Sequence, residues 1–388
     1  MGSRTARRVT GNRPIRLLHL HSSFSLGGKE ARAVRLMNLM GHRARHTILS
    51  AVPEALGARD AIDREIDVAF PADAPALHGK PGPKRYRDLA RYMRQFDLVL
   101  SYNWGAMDGV MAHRVFAPFR ELPPLIHHED GFNEDESVSR NWKRNGFRRL
   151  ALSTAEALVV PSTLLERIAA DEWGARRRTQ LIRNGIDVAA YAAGPTVAIP
   201  GLERRAGEVV IGTVAGLRKV KDLPRLVRAA AALPANVRLV IVGDGPERAA
   251  IAAEAAACGM GERLVMPGFM VQPARWIGHF DMLALSSQSE QAPIAVIEAM
   301  AAGLPVVSPR VGDVAAMVSD ENRRFIAVDE TGFSAALGEL AGDAALRAQI
   351  GAANRGIAAE RFAESTMVAA YENLYGRALA GRRLFSGD

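Results

Sequence analysis

Short apolar runs alternate with amphipathic stretches along the whole chain. Ile15–Leu20 reads as a strand and His21–Gly28 as a loop. Lys29–Met40 reads as a helix with Ala33, Leu36, Met37 and Met40 on one face, ended by Gly41. His46–Ala51, Leu98–Ser101, Pro124–His127, Ala157–Val160 and Gln180–Ile182 continue the series of strands. Tyr191–Arg205 then interrupts it, rich in Gly, Pro and Ala and periodic in neither sense, which predicts a linker. Beyond it the rhythm resumes, with strands at Val209–Val214, Arg238–Val242, Leu264–Pro267, Asp281–Leu285 and Pro305–Ser308. Such alternation predicts an α/β fold of two Rossmann-like βαβ domains facing a central cleft. The expected boundaries are 1–190 and 209–365, with a linker at 191–208 and a last helix in 366–388 packing back on the first domain. Open parallel sheets bind ligands beyond the carboxyl ends of their strands, so function is expected there.

Composition narrows the classes. The chain has 388 residues, 48% of them hydrophobic, which argues against wholesale disorder. The single cysteine, Cys258, excludes an intramolecular disulfide framework and a cysteine-cluster metal site, and it fits a reducing cytosol. Met1–Arg16 is arginine-rich but carries no apolar stretch of signal-peptide length, and no window approaches the ~18 apolar residues of a spanning helix. A cytoplasmic protein, soluble or peripheral on the inner face of the cytoplasmic membrane, is the expectation.

The net charge of +8 is unevenly placed. Residues 1–187 hold 30 Lys and Arg against 21 Asp and Glu, a net of +9; the remainder holds 20 against 21, a net of −1. Two basic clusters interleaved with aromatics, Lys80–Phe96 and Arg140–Arg149, suit an anionic membrane surface. Nucleic acid is not expected, because no recognition motif for it is present.

The most informative segment is SEQAPIAVIEAMAAGLP, Ser289–Pro305. It predicts a helix over about Pro293–Ala302, with Pro293 in its first turn, Gly303 ending it and Pro305 beyond. The N–H groups of Ile294 and Ala295, with the positive end of the helix dipole, would form an anion site. Glu290 at its mouth and Glu298 further in are poorly placed to hold an anion. They suit the hydroxyl groups of whatever carries it, as in a nucleotide sugar. In Gly212–Leu223 (GTVAGLRKVKDL), Arg218 and Lys221 could neutralise a diphosphate. Val242–Glu247 (VGDGPE) reads as a structural glycine turn between strand and helix.

These residues resemble the retaining glycosyltransferases of family 4, which have the GT-B fold. The resemblance rests on LGGKE (Leu26–Glu30), VPS (Val160–Ser162), IRNGID (Ile182–Asp187), GLRKVKDL, VGDGPE and SEQAPIAVIEAMAAGLPVV, the last being the family's Glu-x7-Glu signature. Its EQAP start departs from the commoner EGFG, and Pro293 removes one N–H that could have met a phosphate.

The resemblance implies that Glu298 holds the ribose hydroxyls and Glu290 the donor-sugar hydroxyls. Arg218 and Lys221 would clamp the diphosphate, with Ile294 and Ala295 at the helix start. Gly27 and Gly28 would let a loop approach the phosphates, and Gly268 would lie near the base. In His127–Asn133 (HHEDGFN), Asp130 and His128 are expected near the sugar. The implied activity is transfer of a hexosyl unit, with retention, from a nucleotide-diphosphate sugar to a saccharide or lipid-linked acceptor in envelope polysaccharide or glycolipid assembly. No Asp-x-Asp motif occurs, and fixed cations can offset the leaving diphosphate, so no metal or other cofactor is expected. A nucleotide-sugar epimerase, or a degenerate protein that only binds nucleotide sugar, are the competing readings.

Overall fold

The computed structural model describes residues 13–25, 27–80, 82–132, 136 and 140–385. The expectations touching residues 1–12, Leu26, Pro81, Asn133 and 386–388 lie outside them. Two compact units are present: one runs to Ile182 and regains the chain from Val368, and the other is Arg183–Met367.

In the first unit the strands are β1 (Ile15–His21), β2 (Ala44–Ser50), β3 (Val68–Ala69), β4 (Leu98–Tyr102), β5 (Leu125–His128), β6 (Ala157–Val160) and β7 (Thr179–Leu181). They form one parallel sheet in the order β3-β2-β1-β4-β5-β6-β7. The second unit has β8 (Val209–Val214), β9 (Val237–Val242), β10 (Leu264–Gly268), β11 (Met282–Ala284), β12 (Val306–Pro309) and β13 (Ile326–Ala327). Their order is β10-β9-β8-β11-β12-β13, again all parallel. Both are doubly wound sheets. The strand order reverses between β1 and β4 and between β8 and β11, and the crevice for a ligand opens at such a switch point.

Side-chain alternation explains why the second sheet is covered on both faces. Val210, Val240, Val242, Leu283 and Val306 enter one core with Trp276, Val296 and Met300. Their neighbours Val209, Ile211, Leu239, Ile241, Met282 and Val307 enter another with Leu226, Phe333 and Leu337. Period-two strands buried on both sides read as continuous apolar runs, which is why they stand out in the sequence.

Two expectations change. The segment 191–208 is not a tether but part of the second unit, whose core takes Tyr191 and Ile199. The N–H groups of Thr196 and Val197 both donate to the Arg275 carbonyl, at 2.8 and 2.9 Å. A few buried side chains and such backbone bonds anchor a stretch that has no period of its own. The chain passes between units at Ile182/Arg183 and again at Met367/Val368. In addition, β3 and β13 pair only two residues each, too few for a periodic signal.

Candidate active site

At the switch point of the second unit, the loops after β8 and β11 are bound together. The Lys221 ammonium meets Glu290 Oε1 at 2.5 Å, and Ser287 Oγ donates to the same oxygen at 2.7 Å. Ser286 Oγ donates to the Lys221 carbonyl, and the Gln288 N–H to the Val220 carbonyl, each at 2.8 Å. Arg218, three residues before Lys221, is exposed. The structure therefore brings Lys221 and Glu290 into one ion pair, with an open guanidinium in the same loop.

Glycines let the flanking turns approach this closely. A Cβ on Gly243 would stand 1.9 Å from the Ala215 carbonyl oxygen, and one on Gly245 2.5 Å from that of Leu217. The VGDGPE turn thus supports the backbone of the cationic loop. Gly312, at φ +51°, does the same for the acidic loop, since a Cβ there would meet the carbonyl oxygens of Gln291 and Glu290 at 2.4 and 2.5 Å. Asn184 Nδ2 donates to the Ala292 carbonyl at 2.9 Å, just before the helix Ile294–Ala301. Pro293 is the N-cap of that helix, extended at ψ 124°, and not part of its first turn. The first N–H groups, at Ile294 and Ala295, have no intrahelical acceptor.

Glu298 lies one turn into this helix, and the Tyr191 hydroxyl donates to its Oε1 at 3.2 Å. Burial disfavours the charged carboxylate and pushes its pKa up to about 7; the bond from Tyr191 offsets only part of this. Tyr191 is pushed up as well, by burial first and by Glu298 second. Gly268 ends β10 at φ +90°, and the side chains of Phe269 and Val271 beyond it are more than half exposed.

The remaining expected residues belong to the first unit. Gly27 is the N-cap of the helix Gly28–Met40, and both glycines are exposed. Lys29 pairs with the buried Glu30 and donates to the Ser23 carbonyl at 3.2 Å. Arg32 on this helix meets Asp130 at 2.6 Å. Burial opposes the Asp130 carboxylate, but Arg32 outweighs it and holds the group below the usual range. His128 is enclosed. Its Nδ1 faces the Ser101 carbonyl at 3.2 Å and its Nε2 the Tyr375 hydroxyl at 3.1 Å. Burial, with Arg32 second, lowers its pKa to about 3, so the ring is neutral.

Sequence reasoning missed four contributors: Ser287, Tyr191, Asn184 as the clamp on Ala292, and Gly312. Asn184 stood inside the quoted IRNGID motif, which was the available signal.

Residues 198–356 match the family model for glycosyl transferases group 1. The fold is GT-B. The chain is 27% identical over 172 residues to N-acetyl-alpha-D-glucosaminyl L-malate synthase of Bacillus anthracis, covering 43% of this chain and 45% of that protein. It is 27% identical over 190 residues to the lipopolysaccharide core biosynthesis glycosyltransferase LpsD of Rhizobium meliloti, covering 48% and 55%. The chain thus spans about half the length of the curated relatives it matches. Among solved structures, Anabaena HepE in complex with UDP superposes with a TM-score of 0.75 at 20% identity, covering 94% of this chain and all of that one.

Proposed function

We propose that this protein is a glycosyltransferase that moves a hexosyl unit, with retention, from a nucleoside-diphosphate sugar to a saccharide or lipid-linked acceptor. The observation that carries the reading is the Lys221–Glu290 pair, seated at the mouth of the helix Ile294–Ala301 and beside the exposed Arg218. A guanidinium, an ammonium and a helix N-terminus together can stabilise a departing diphosphate. As that group leaves, the anomeric carbon gains oxocarbenium character. Glu290, held by Lys221 and Ser287, is placed for hydroxyls of the donor sugar. Glu298, half-buried beside Tyr191, accepts from the ribose.

Asp130 is held ionised by Arg32, and this favours it for the acceptor or sugar side. We assign His128 to support Asp130, because its ring is enclosed. With these cations in place, we propose that the reaction needs no metal ion. UDP is the first nucleotide to test, because HepE is bound to it. Lipopolysaccharide assembly, named for the LpsD relative, favours an envelope pathway at the inner face of the cytoplasmic membrane.

The test is donor turnover on a panel of UDP-, GDP-, ADP- and CDP-sugars chosen by thermal shift. Lys221→Ala should lose about 10²–10³-fold in rate with an unchanged far-UV spectrum, a loss typical of removing one preorganised charge. Glu290→Ala should fall comparably, and chelator should leave the wild-type rate intact. Unaltered rates in both variants would overturn the site.

A further inference from the structure

The two basic clusters that the sequence singles out have different fates. In Arg140–Arg149 most of the charge is used internally. Arg148 is fully buried, its guanidinium 4.8, 5.2 and 5.4 Å from the rings of Trp104, Trp173 and Phe132 and 2.9 Å from Glu136. Arg144 pairs with the same Glu136 at 3.1 Å, and Arg140 with Glu172 at 2.6 Å. These three arginines hold loops together; Lys143 and Arg149 stay exposed but, six positions apart, point about 120° from each other round the helix Trp142–Ala151 and form no stripe.

The cluster around the helix Pro83–Met93 is the opposite case. Leu89, Ala90 and Met93 face inward and are buried. Lys84, Arg87, Arg91 and the C-cap Arg94 are all exposed. At 100° per residue they fall within an arc of about 80°, so they form one stripe along the helix. Among the described residues, Lys84, Arg87 and Arg94 enter no ion pair, and Arg91 reaches Asp88 only at 3.9 Å. At the foot of the stripe Arg94 lines an open hollow of about 520 Å³ together with Phe116, Phe119, Arg120 and Glu121. The Phe119 ring is 82% exposed, and Val115 nearby is 41% exposed.

We propose that this stripe and the Phe119 ring form the face by which the first unit docks on an anionic lipid bilayer. The proposal locates the membrane contact of the reading above and rests on it for the membrane alone. A row of uncompensated cations matches a sheet of anionic headgroups. A protruding phenylalanine flanked by arginines suits the boundary between headgroups and acyl chains, where the ring leaves water while the guanidinium groups stay with phosphate. The arginine row supplies the long-range, salt-sensitive part of the attraction, and the ring supplies the part that salt does not screen.

Flotation with phosphatidylcholine vesicles, with and without phosphatidylglycerol, tests this. The wild-type chain should bind the anionic vesicles at low salt and not the neutral ones. Reversing three charges together, in Arg87→Glu/Arg91→Glu/Arg94→Glu, should weaken binding by about 100-fold or more, since each cation near such a surface is worth roughly fivefold. Phe119→Ser should weaken it less, with an unchanged salt slope, and Arg140→Glu/Lys143→Glu should bind as the wild type does.

Absence of wild-type binding, or undiminished binding by the triple variant, would overturn the proposal. Equal affinity for double-stranded DNA would do so too, since it would mark the face as a general polyanion surface. Donor hydrolysis without vesicles should be unchanged in all these variants. A failure of the docking face is therefore told apart from a failure of the glycosyltransferase reading, which would appear as no hydrolysis even in the wild type.

Discussion

The two units share a strand order and differ in what they bury. The second packs both faces of its sheet with aliphatic and aromatic side chains and keeps its charged pair, Lys221 and Glu290, in the loops after β8 and β11. The first buries ionisable groups, histidines above all, where the second buries mainly neutral polar ones such as Asn322 and Asn354. Eight of the nine histidines precede Ile182, leaving His279 in the second unit. His21, Tyr102 and His128 occupy registered positions on β1, β4 and β5 and stack, with centroids 4.1 and 4.6 Å apart. His19 Nε2 meets His46 Nδ1 at 3.0 Å, and His19 Nδ1 meets the Tyr102 hydroxyl at 3.2 Å. One topology thus tolerates two kinds of interior, and the polar interior ties the stability of its unit to pH.

The largest effect should come from acid. Burial, with neighbouring cations or imidazoles adding to it, holds His19 and His21 well below the ordinary histidine pKa. His46 is lowered to about 4, also by burial. Such groups stay neutral in the fold but bind protons when unfolded. Their contribution is therefore whole above the unfolded pKa of about 6.5 and is lost as the pH falls below it. Each can remove up to about 1.4 kcal/mol per pH unit. Hydrogen exchange at pH 5 should show β1, β4 and β5 losing protection while β8, β9 and β11 keep theirs. Equal loss in both sheets would erase the distinction between the interiors.

Removing a cation should separate the units next. Arg148→Ala leaves the enclosed Glu129 without its guanidinium and Glu136 with Arg144 alone, and breaking a buried pair from one side costs about 3–5 kcal/mol. Arg148→Lys should restore little, because an ammonium cannot reproduce the two bonds that Arg148 donates to Glu136. Lys221→Ala should cost less, since Glu290 keeps the Ser287 hydroxyl as a donor. Urea unfolding of the three variants reads this directly. A small Arg148→Ala effect would mean that water fills the gap beside Glu129, whose carboxylate oxygens accept no hydrogen bond among the described residues.

This contrast also separates what the sequence made legible from what it did not. The βα rhythm, the helix after Glu290 and the glycine turns are local signals, because period and turn chemistry act over a few residues. The histidine column is not local. His21 and His128 become neighbours through Tyr102 only once β1, β4 and β5 pair in register. The one local trace was the spacing of His19 and His21, which places both on the same face of a strand. Tyr191 was hidden for the same reason: it lies in an aperiodic stretch, yet its hydroxyl reaches Glu298 across 107 positions. Basic clusters mislead differently. Spacing shows that charge is present, but only packing distinguishes the enclosed Arg148 from the open Arg94.

A smaller acid effect, from one group and not three, has the opposite sign in the second unit and so gives the most discriminating test. The Glu298 pKa, raised to about 7 by burial, makes ionisation of the native state costly. An acid raised in this way makes its unit more stable while it is protonated, and that advantage fades as the pH climbs from about 4.5 through 7. Mild acid should therefore loosen the first unit and slightly tighten the second. For a ribose held by the carboxylate the order is reversed, because the ionised form is the better acceptor. Donor affinity should then fall up to tenfold per pH unit below about 7. Glu298→Gln should bind more weakly at pH 8 and lose most of this slope. Tyr191→Phe, which removes the bond favouring the ionised form, should move the inflection upward while leaving the plateau nearly unchanged. Isothermal titration with the tightest-binding nucleotide across pH 5.5–8 resolves the slope, and a Glu298→Gln profile parallel to the wild type would show that another group controls binding.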